Sequence, residues 1–263
     1  MEKIVPSEEF VWNNIIEEAK LVSEKEPALA ELFDDVILSS KNLFEALAAR
    51  IARKLGSHAV NPDLLKEIIV YTLSKDEVAR KNIVKDIVAI CERDPACSSY
   101  LEPLMYFKGF QSISAYRVSH ILWKDGRKHM ALYFQSLISE IYAVDIHPAA
   151  RFGGGILLDH ATSFVAGETS VVEDDVSILH EVTLGGTGTE FGDRHPKVHS
   201  GVLIGAGAKL IGNIEIGTCA KIGAGSVVLN DVAERTTVAG VPAKPIGLSK
   251  DEIIPCKDMN QNF

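Results

Sequence analysis

A six-residue repeat between Ile204 and Val228 constrains the fold of this chain more than any other feature. An aliphatic residue opens each unit, glycine often follows it, and a small or β-branched residue occupies the fifth place. The opening residues are Ile204, Leu210, Ile216, Ile222 and Val228. Neither an α-helix of period 3.6 nor an alternating strand produces this pattern, whereas hexapeptide repeats are typical of a parallel β-helix. We therefore predict a parallel β-helix in the C-terminal half of the chain.

The composition bounds the class of protein. The net charge is -9, from 27 basic and 36 acidic side chains, which argues against nucleic-acid binding because a phosphate backbone needs a basic face. The four cysteines show neither disulfide-framework nor zinc spacing, so a reduced, cytoplasmic protein is expected. The N-terminus does not look like a signal peptide, and the apolar runs fall short of the roughly 20 residues that cross a bilayer. We expect no membrane association.

Helical patterning fills the chain to about residue 143. Ser7 precedes two acidic residues, as at a helix N-terminus, and apolar residues then recur at helical spacing. A later helix is expected to stop at Asp94, because the proline that follows disfavours helix in the residue before it. At Asp145 the helical periodicity ends and glycine becomes frequent. The expected fold class is α+β multidomain, with an all-α domain over residues 1–143, a β-helix over 144–247 and a C-terminal tail over 248–263.

Extending the six-residue frame from Ile146 gives a second series of inward positions. These are Ile146, Phe152, Leu158, Phe164, Ser170, Val176 and Val182. Val182 and Val198 are sixteen residues apart, which is not a multiple of six, so residues 185–197 are expected to contain an inserted loop. Three units make one triangular turn, and solenoids of this repeat class wind left-handed, against the usual preference for right-handed crossovers. Their flat outer faces favour packing of three chains side by side.

Departures from the repeat carry the residues that suit chemistry. Asp159 and His160 follow the inward Leu158, and Asp145 lies fifteen residues before His160, close to one full turn. A carboxylate at that place would hold the imidazole and make its free nitrogen a base. A lone histidine in a β-solenoid is more often a surface or stacking residue. The inserted loop, however, carries an arginine and a second histidine, and their presence makes a purely structural role for His160 less favoured.

Arg194 and His195 lie in this inserted loop. The planar fork of Arg194 is suited to a substrate carboxylate, which it would bind through two parallel hydrogen bonds. Asp94 and Asp159 are suited to an ammonium group. Together with a base at His160, these residues indicate a site for a small zwitterion that carries a hydroxyl group.

Longer segments of the chain match one family motif by motif. They are Glu26–Leu29, Arg93–Ala96, Lys108–Phe110, Val144–Ala150, Leu158–Thr162, Val182–Gly188, Gly192–Lys197 and Ala239–Ala243. On these segments the chain resembles the serine O-acetyltransferases, which acetylate L-serine from acetyl-CoA on the way to cysteine. The resemblance implies that His160 is the general base of a direct transfer and that Asp145 orients it. It implies that serine is bound by Asp94, Asp159, Arg194 and His195.

The resemblance also implies the other ligands and the assembly. Acetyl-CoA would be a co-substrate rather than a bound cofactor, lying in the groove between two neighbouring β-helices, and no metal is implied. The residues expected along its path are Gly186, Ala206 and Ala224 for the pantetheine arm, and Lys221 and Lys244 for the phosphates. A solvated surface position is the alternative for both lysines. Trimers would pair into hexamers, and L-cysteine would act as feedback inhibitor at the serine site.

Two features depart from the family pattern. After Gly188 the family often carries lysine, whereas this chain has Thr189 and Glu190, so a basic contact near CoA is expected to be missing. Bacterial relatives commonly extend further and end in isoleucine, which docks into the pyridoxal-phosphate enzyme O-acetylserine sulfhydrylase. This sequence ends at Phe263, which argues against that complex.

Other functions fit parts of the sequence. A different small hydroxyl acceptor, such as homoserine or a sugar, would use the same base. Some left-handed β-helices are zinc carbonic anhydrases, and His160, His195 and His199 are loosely spaced as zinc ligands would be. Their neighbours Asp94 and Arg194 suit serine better than a metal. A non-catalytic scaffold of the same fold would show no serine-dependent release of CoA.

Overall fold

The N-terminal part of the chain is helical. The computed structural model describes residues 6–57, 60–189, 191–250 and 252–262. The α-helices in this part are α1 (Glu8–Lys25), α2 (Ala30–Phe33), α3 (Leu43–Leu55), α4 (Pro62–Ser74), α5 (Glu77–Arg93), α6 (Leu101–Met105), α7 (Lys108–Lys124) and α8 (Lys128–Tyr142). A 3-10 turn at Pro27–Leu29 and a π-helical turn at Asp34–Leu38 flank α2. Among the described helices, none is both long enough and apolar enough to cross a bilayer.

Local sequence signals set the ends of these helices. Ser7 accepts a hydrogen bond from the Phe10 N–H at 3.1 Å, so the predicted cap of α1 is confirmed. Helix α5 ends at Arg93, because Asp94 precedes a proline and takes an extended backbone with ψ of 109°. The end of α5 matters for the site, since it fixes where the Asp94 carboxylate lies.

Residues 144–248 wind into a three-sided β-helix of short strands. The strands are β1 (Val144–Ile146), β2 (Arg151–Phe152), β3 (Leu157–Leu158), β4 (Phe164–Ala166), β5 (Val171–Val172), β6 (Ser177–Ile178), β7 (Thr183–Gly185), β8 (Lys197–Val198), β9 (Leu203–Ile204), β10 (Lys209–Ile211), β11 (Glu215–Ile216), β12 (Lys221–Ile222), β13 (Val227–Val228), β14 (Thr236–Gly240) and β15 (Ala243–Leu248). Their sheets have the orders β1-β4-β7-β10-β13, β2-β5-β8-β11 and β3-β6-β9-β12-β14-β15. The described strands pair in parallel, except that β14 and β15 are antiparallel. The predicted fold class, a helical domain followed by a parallel β-helix, is confirmed, and its left-handed winding stays a prediction.

The register between turns shows where the six-residue frame slips. Leu158 pairs with Ile178, twenty residues later, so the first turn holds two residues more than three units contain. Val172 pairs with Val198, twenty-six residues later, which accounts for an eight-residue insertion between β7 and β8. From Val198 through β13 the spacing is eighteen. The inserted loop predicted from the sequence is present, and the two-residue insertion was not predicted.

The inward frame predicted from Phe164 to Val182 is wrong by two residues. The residues that pair between turns are two places later: Ala166, Val172, Ile178 and Leu184. The residues predicted to point inward are nevertheless buried. Each unit turns two side chains inward, one from the strand and one two residues before it. Ser170, which broke the aliphatic rule of the predicted frame, occupies one of these second positions and is fully buried.

A buried ion pair joins the helices to the first turn of the β-helix. Arg117 on α7 donates from Nε and Nη2 to Asp86 on α5 at 2.9 and 2.7 Å, and the two side chains are 4% and 0% exposed. The other carboxylate oxygen of Asp86 accepts from the Ile156 N–H at 2.9 Å. Arg117 also donates to the carbonyl oxygens of Phe152 and Gly153. A buried pair offsets its desolvation only when its hydrogen-bonding groups are satisfied in this way.

Arg93 makes a second attachment at the end of α5. Its side chain is 2% exposed and donates to the Gly155 carbonyl at 3.0 Å, to Asp175 Oδ1 at 2.6 Å and to Ser177 Oγ at 3.2 Å. The Ser177 hydroxyl donates to the carbonyl of Cys256 at 2.8 Å, in the short helix α9 (Pro255–Asp258) of the tail. Helix α5 and the tail are therefore held on the same face of the β-helix.

Asp86→Ala is expected to reduce the free energy of unfolding by about 3–5 kcal/mol, because Arg117 would stay buried without its counter-charge. Urea unfolding at fixed protein concentration measures this loss. Glu77→Ala is the matched control on the same helix, since its ion pair with Lys81 is 69–70% exposed and is screened by solvent. Equal losses in the two variants would contradict the anchoring role of the buried pair.

Candidate active site

The two extra residues of the first turn lie in a tight turn after β3. His160, Ala161 and Ser163 have positive φ angles of 54°, 61° and 61°. Such left-handed conformations cost non-glycine residues roughly 1 kcal/mol or more, so the surroundings must hold them. The Thr162 N–H donates to the His160 carbonyl at 2.8 Å, and the Glu181 N–H donates to the Thr162 carbonyl at 2.7 Å. The His160 side chain projects outward from this turn and is 73% exposed.

A cavity of about 360 Å³ opens beside this turn. Asp94, Asp159 and His160 all line it. His160 Nε2 lies 3.6 Å from Asp159 Oδ2. Asp94 is held by its own turn at the end of α5, where its Oδ1 accepts the Ala96 N–H at 2.9 Å. The fold therefore brings together two carboxylates and one imidazole from segments that are far apart in the sequence.

The two carboxylates of the cavity interact electrostatically. Burial raises the pKa of Asp159 above its usual range, and the nearby Asp94 raises it further, whereas His160 and His180 oppose the shift. A cationic group in the cavity would relieve this repulsion and favour the ionised carboxylates. The arrangement is thus suited to a substrate ammonium group.

The sequence did not predict a role for Lys108 and Thr162, which line the cavity, or for His180, which lies against His160. The ring of His180 lies 5.8 Å from that of His160 in an edge-to-face arrangement, and its Nδ1 is buried without a hydrogen-bond partner. Lys108 Nζ donates to Thr162 Oγ1 at 2.6 Å. A twenty-residue turn places His180 directly over His160, so a frame of eighteen could not show that the two rings meet.

Arg194 and His195 are held on a different edge by Glu168 and Thr169. Arg194 Nη2 donates to Glu168 Oε2 at 2.9 Å. Thr169 Oγ1 accepts the backbone N–H groups of Arg194 and His195 at 3.0 and 3.2 Å, and it shares a 2.8 Å hydrogen bond with His195 Nδ1. The buried His195 ring lies over Gly167, where any Cβ would overlap it. Burial and then the Arg194 charge lower the pKa of His195, so its imidazole is neutral at pH 7.

Asp145 does not reach His160 within one chain. It lies in β1, where its Oδ1 accepts from Gln135 Nε2 of α8 at 2.7 Å, and its partner in the next turn is Val165. Across the described residues, no hydrogen bond or ion pair joins Asp145 to His160. The expectation that fifteen residues bring these two side chains together in the same chain is wrong, because Val165 rather than His160 lies over Asp145 in the next turn.

The candidate residues therefore form two groups. We call Asp94, Asp159 and His160 the acidic half-site. We call Asp145, Arg194 and His195 the arginine half-site. Asp145 and Arg194 lie close to each other, since the charges of both, together with that of Glu168, shift the pKa of the half-buried His147. Within the part of the chain that the structure describes, no hydrogen bond or ion pair connects the two half-sites.

The small residues expected beside CoA lie in different surroundings. Gly186 packs under the inserted loop, where a Cβ would lie 3.2 Å from Arg194 Cγ. Ala206 is half-buried and Ala224 is exposed, and they occupy equivalent corners one turn apart. A Cβ at Gly205 would lie 2.6 Å from the Ala224 nitrogen, so the backbones of these two corners are in close contact. Only small side chains project from this edge at Ala206 and Ala224.

The two lysines expected beside the CoA phosphates differ as well. Lys221 Nζ donates to the Asn262 carbonyl at 2.5 Å, so the tail lies over this lysine. Lys244 is exposed on the final strand β15. Thr189 is exposed in the inserted loop, whereas Glu190, on which the expected loss of a basic contact partly rests, lies outside the described residues.

His199, the third histidine of the zinc alternative, lies between two glutamates. Its Nδ1 is 3.0 Å from Glu173 Oε1, and its Nε2 is 2.9 Å from Glu215 Oε2. Although burial lowers the pKa of His199, hydrogen bonds and charge from Glu173 and Glu215 raise it above its ordinary value. The described ranges contain no group of three or more His, Cys, Asp or Glu side chains arranged to hold a metal ion.

Comparison with known proteins gives first a class and then a family. Residues 195–230 match the model for bacterial transferase hexapeptide repeats, which makes the chain a hexapeptide-repeat transferase. Residues 11–115 match the N-terminal model of serine acetyltransferase. The serine acetyltransferase of Haemophilus influenzae is 52% identical over 253 residues, which cover 96% of this chain and 94% of that protein. The chain belongs to the serine acetyltransferase family, and the resemblance drawn from its motifs is confirmed.

Solved relatives of this family include complexes with small ligands. A serine acetyltransferase in complex with cysteine is 50% identical, with a TM-score of 0.95 over 98% of this chain and 100% of that one. The Brucella abortus serine acetyltransferase in complex with coenzyme A is 50% identical, with a TM-score of 0.90 over 91% and 96% of the two chains. The Neisseria gonorrhoeae serine acetyltransferase in complex with serine is 51% identical, with a TM-score of 0.88 over 90% and 98%. Each of these likenesses spans both the helices and the β-helix.

His199→Gln is expected to lower the melting temperature most on the acidic side of neutrality. The folded-state pKa of His199 is raised, so its stabilisation is fully present below the unfolded value of about 6.5 and is lost as the pH rises through the folded value. The deficit of the variant should therefore shrink from about pH 6 to about pH 9. His129→Gln, at an exposed position of α8, is the control for the replacement of a histidine by glutamine. A deficit that grows with pH would contradict the paired imidazolium.

Proposed function

We propose that the protein transfers the acetyl group of acetyl-CoA to the hydroxyl of L-serine, giving O-acetyl-L-serine and CoA for cysteine biosynthesis in the cytoplasm. The observation that carries this proposal is the acidic half-site, where His160 borders a cavity of about 360 Å³ together with two carboxylates. Membership of the family supports the same reaction. The serine and coenzyme A complexes of relatives support the two substrates.

His160 acts as the general base of a direct transfer. Its free ring nitrogen removes the proton of the serine hydroxyl while the oxygen attacks the thioester carbonyl carbon. The tetrahedral intermediate then expels the CoA sulfur, and the imidazolium returns its proton to that sulfur. General-base assistance of this kind typically contributes about 10²–10⁴ in rate. The outward projection of His160 gives it access to both substrates.

Serine is recognised through its two charges. Asp94 and Asp159 bind the ammonium group, whose charge relieves the repulsion between the carboxylates. Arg194 binds the serine carboxylate: Glu168 and the Gly192 carbonyl take two of its five N–H donors and orient the guanidinium for the substrate. The neutral His195 adds a hydrogen-bond donor without a competing charge.

The two half-sites complete each other between neighbouring subunits of a trimer. One bound serine must touch both half-sites, and within one chain they lie on different edges. A three-sided solenoid packs with two others about a shared axis, which sets an edge of one chain beside its neighbour. Asp145 of the neighbouring subunit then orients His160, and Arg194 and His195 of that subunit bind the serine carboxylate.

The groove between the same two β-helices receives acetyl-CoA. The stacked corners at Ala206 and Ala224, with Gly186 under the inserted loop, allow the pantetheine arm to approach the backbone. Lys221 and Lys244 contact the phosphates, which requires the tail to release Lys221. L-cysteine inhibits by occupying the serine site, and the cysteine complex of a relative supports this. The helical domains pair two trimers into a hexamer.

His160→Asn is expected to lower kcat by about 10²–10⁴ while the oligomer still assembles, because the amide cannot accept the serine proton. Release of CoA thiol from acetyl-CoA, with serine, homoserine or no acceptor, measures both the loss and the acceptor preference. His129→Asn, at an exposed histidine that is not among the residues lining the cavity, is the control. Near-normal turnover in an assembled His160 variant would contradict the role of the base, and equal use of homoserine would contradict the choice of serine.

Arg194→Ala is expected to raise the KM for serine by about tenfold or more and to change the KM for acetyl-CoA little, since a hydrogen bond to a charged group contributes about 1.5–3 kcal/mol. Steady-state kinetics in both substrates measure this difference. Equal effects on the two substrates would contradict the carboxylate role.

The Arg194→Ala variant, combined with His160→Asn, tests whether each active site is formed by two subunits. Subunits carrying His160→Asn and subunits carrying Arg194→Ala are unfolded together and reassembled, so that mixed trimers form. If each site takes its base from one subunit and its arginine from the next, some mixed sites are intact and activity rises above that of either parent. No gain in verified mixed trimers would contradict the division between subunits.

A further inference from the structure

Two cysteines lie on either side of Asp94 and touch each other. Cys91 is on the last turn of α5 and Cys97 follows the turn that ends the helix, and their sulfur atoms are 3.4 Å apart. Both side chains are half-buried, and both sulfurs lie near the carbonyl oxygen of Ser99, at 3.6 and 3.4 Å. A disulfide bond is about 2.05 Å long, so closing it needs the sulfurs to approach by only about 1.4 Å.

The two thiols are chemically different. The hydrogen bond with Cys91 lowers the pKa of Cys97, and the Ser99 backbone lowers it further against the effect of burial. The same hydrogen bond, with burial, raises the pKa of Cys91 far above its usual range. Because the pKa of Cys97 is lowered and that of Cys91 is raised, Cys97 is the better attacking thiol of the pair and Cys91 is the resolving thiol. The carboxylates of Glu18, Glu102 and Asp94 lie near the pair and raise the pKa of one or both thiols, and the Tyr100 hydroxyl is also nearby.

We propose that Cys91 and Cys97 are a reversible oxidation site that takes a small-molecule disulfide and controls the affinity of the cavity for serine. The Cys97 thiolate attacks one sulfur of the external disulfide, forming a mixed disulfide and releasing one thiolate. Cys91 loses its proton to solvent and attacks the Cys97 sulfur, forming the Cys91–Cys97 bond and releasing the second thiolate. Both protein thiols are oxidised, and the external disulfide is reduced to two thiols.

The link to the cavity is the short turn between the cysteines. The Cys97 N–H donates to the Asp94 carbonyl at 3.0 Å, the Asp94 N–H donates to the Ile90 carbonyl at 2.9 Å, and Asp94 Oδ1 accepts the Ala96 N–H. Asp94 and Ala96 both line the cavity. Drawing the Cys97 sulfur towards Cys91 shifts the backbone that these hydrogen bonds share, and the Asp94 carboxylate moves with it. Oxidation therefore weakens binding of the ammonium group and leaves the CoA groove unchanged.

The effect on serine rests on the proposed function, whereas formation of the disulfide does not. The full-length oligomer is incubated with oxidised glutathione, and its thiols are then counted by alkylation and mass spectrometry with peptide mapping. We expect a Cys91–Cys97 linkage with loss of two hydrogens, a KM for serine raised by about threefold or more, an unchanged KM for acetyl-CoA, and full reversal by dithiothreitol. Cys91→Ser should instead trap glutathione on Cys97.

Matched variants separate the outcomes. Cys97→Ser should keep the activity of the reduced protein and lose the response to oxidation, whereas Cys256→Ser, in the buried tail helix, should keep the response. Absence of a Cys91–Cys97 linkage in the folded oligomer would overturn the oxidation site. A linkage that forms with no change in the KM for serine would overturn its control of the cavity. A reduced protein without any serine-dependent CoA release would refute the proposed function, while the mapped linkage would still decide the oxidation site.

Discussion

The buried pair of Asp86 and Arg117 is the contact on which the candidate site depends. Each charge loses its hydration, and the loss is offset only because backbone groups of the first β-helix turn complete the hydrogen bonding of both side chains. Arg93 lies seven residues after Asp86, two helical turns along the same face of α5, and it binds the next part of the β-helix. Helix α5 is thus fixed at two points, and its end cannot move without leaving a charge unpaired. Asp94 is the next residue, so the backbone that enters its turn is held in place, whereas the backbone that leaves the turn towards Cys97 lacks these two attachments.

The two-residue insertion after β3 sets the position of His160, as the end of α5 sets the position of Asp94. Positive φ angles at three non-glycine residues are unfavourable in isolation, but the turn is clamped from both sides. The first turn of α7 lies directly against it, since any Cβ at Gly109 would overlap the Leu158 carbonyl. On the other side, the Glu181 N–H binds the turn to the next level of the solenoid. An uninterrupted repeat would have turned this segment along the flat face, whereas the insertion lifts His160 clear of it.

The sequence predicts the regular parts of this protein well and the irregular parts less well, for physical reasons. The repeat from Ile204 to Val228 was sufficient because an uninterrupted β-helix has one register. The predicted inward positions were wrong between Phe164 and Val182. Each unit there buries two side chains that are two residues apart, so a shift of two residues in the frame still selects buried residues and goes unnoticed in the sequence. Counting fifteen residues from Asp145 to His160 failed because the first turn holds twenty residues, so that Val165 rather than His160 lies over Asp145. The pairing of Asp94 with Asp159 was predicted from their charge and then from the family resemblance, since no spacing along the chain encodes where α5 docks.

The separation of the half-sites follows from the charges that they carry. If Arg194 lay beside Asp94 and Asp159 in one chain, these groups would pair with each other, and a zwitterion would have to break that pair before it could bind. In the observed chain Arg194 is paired with Glu168 instead, and the acidic half-site keeps a carboxylate whose pKa is raised by burial and by its neighbour. Under the proposed function, each half-site is incomplete in a way that serine corrects, by its ammonium on one side and its carboxylate on the other. An assembly that sets the two edges together makes recognition depend on both charges of the substrate at once, which neither edge achieves alone.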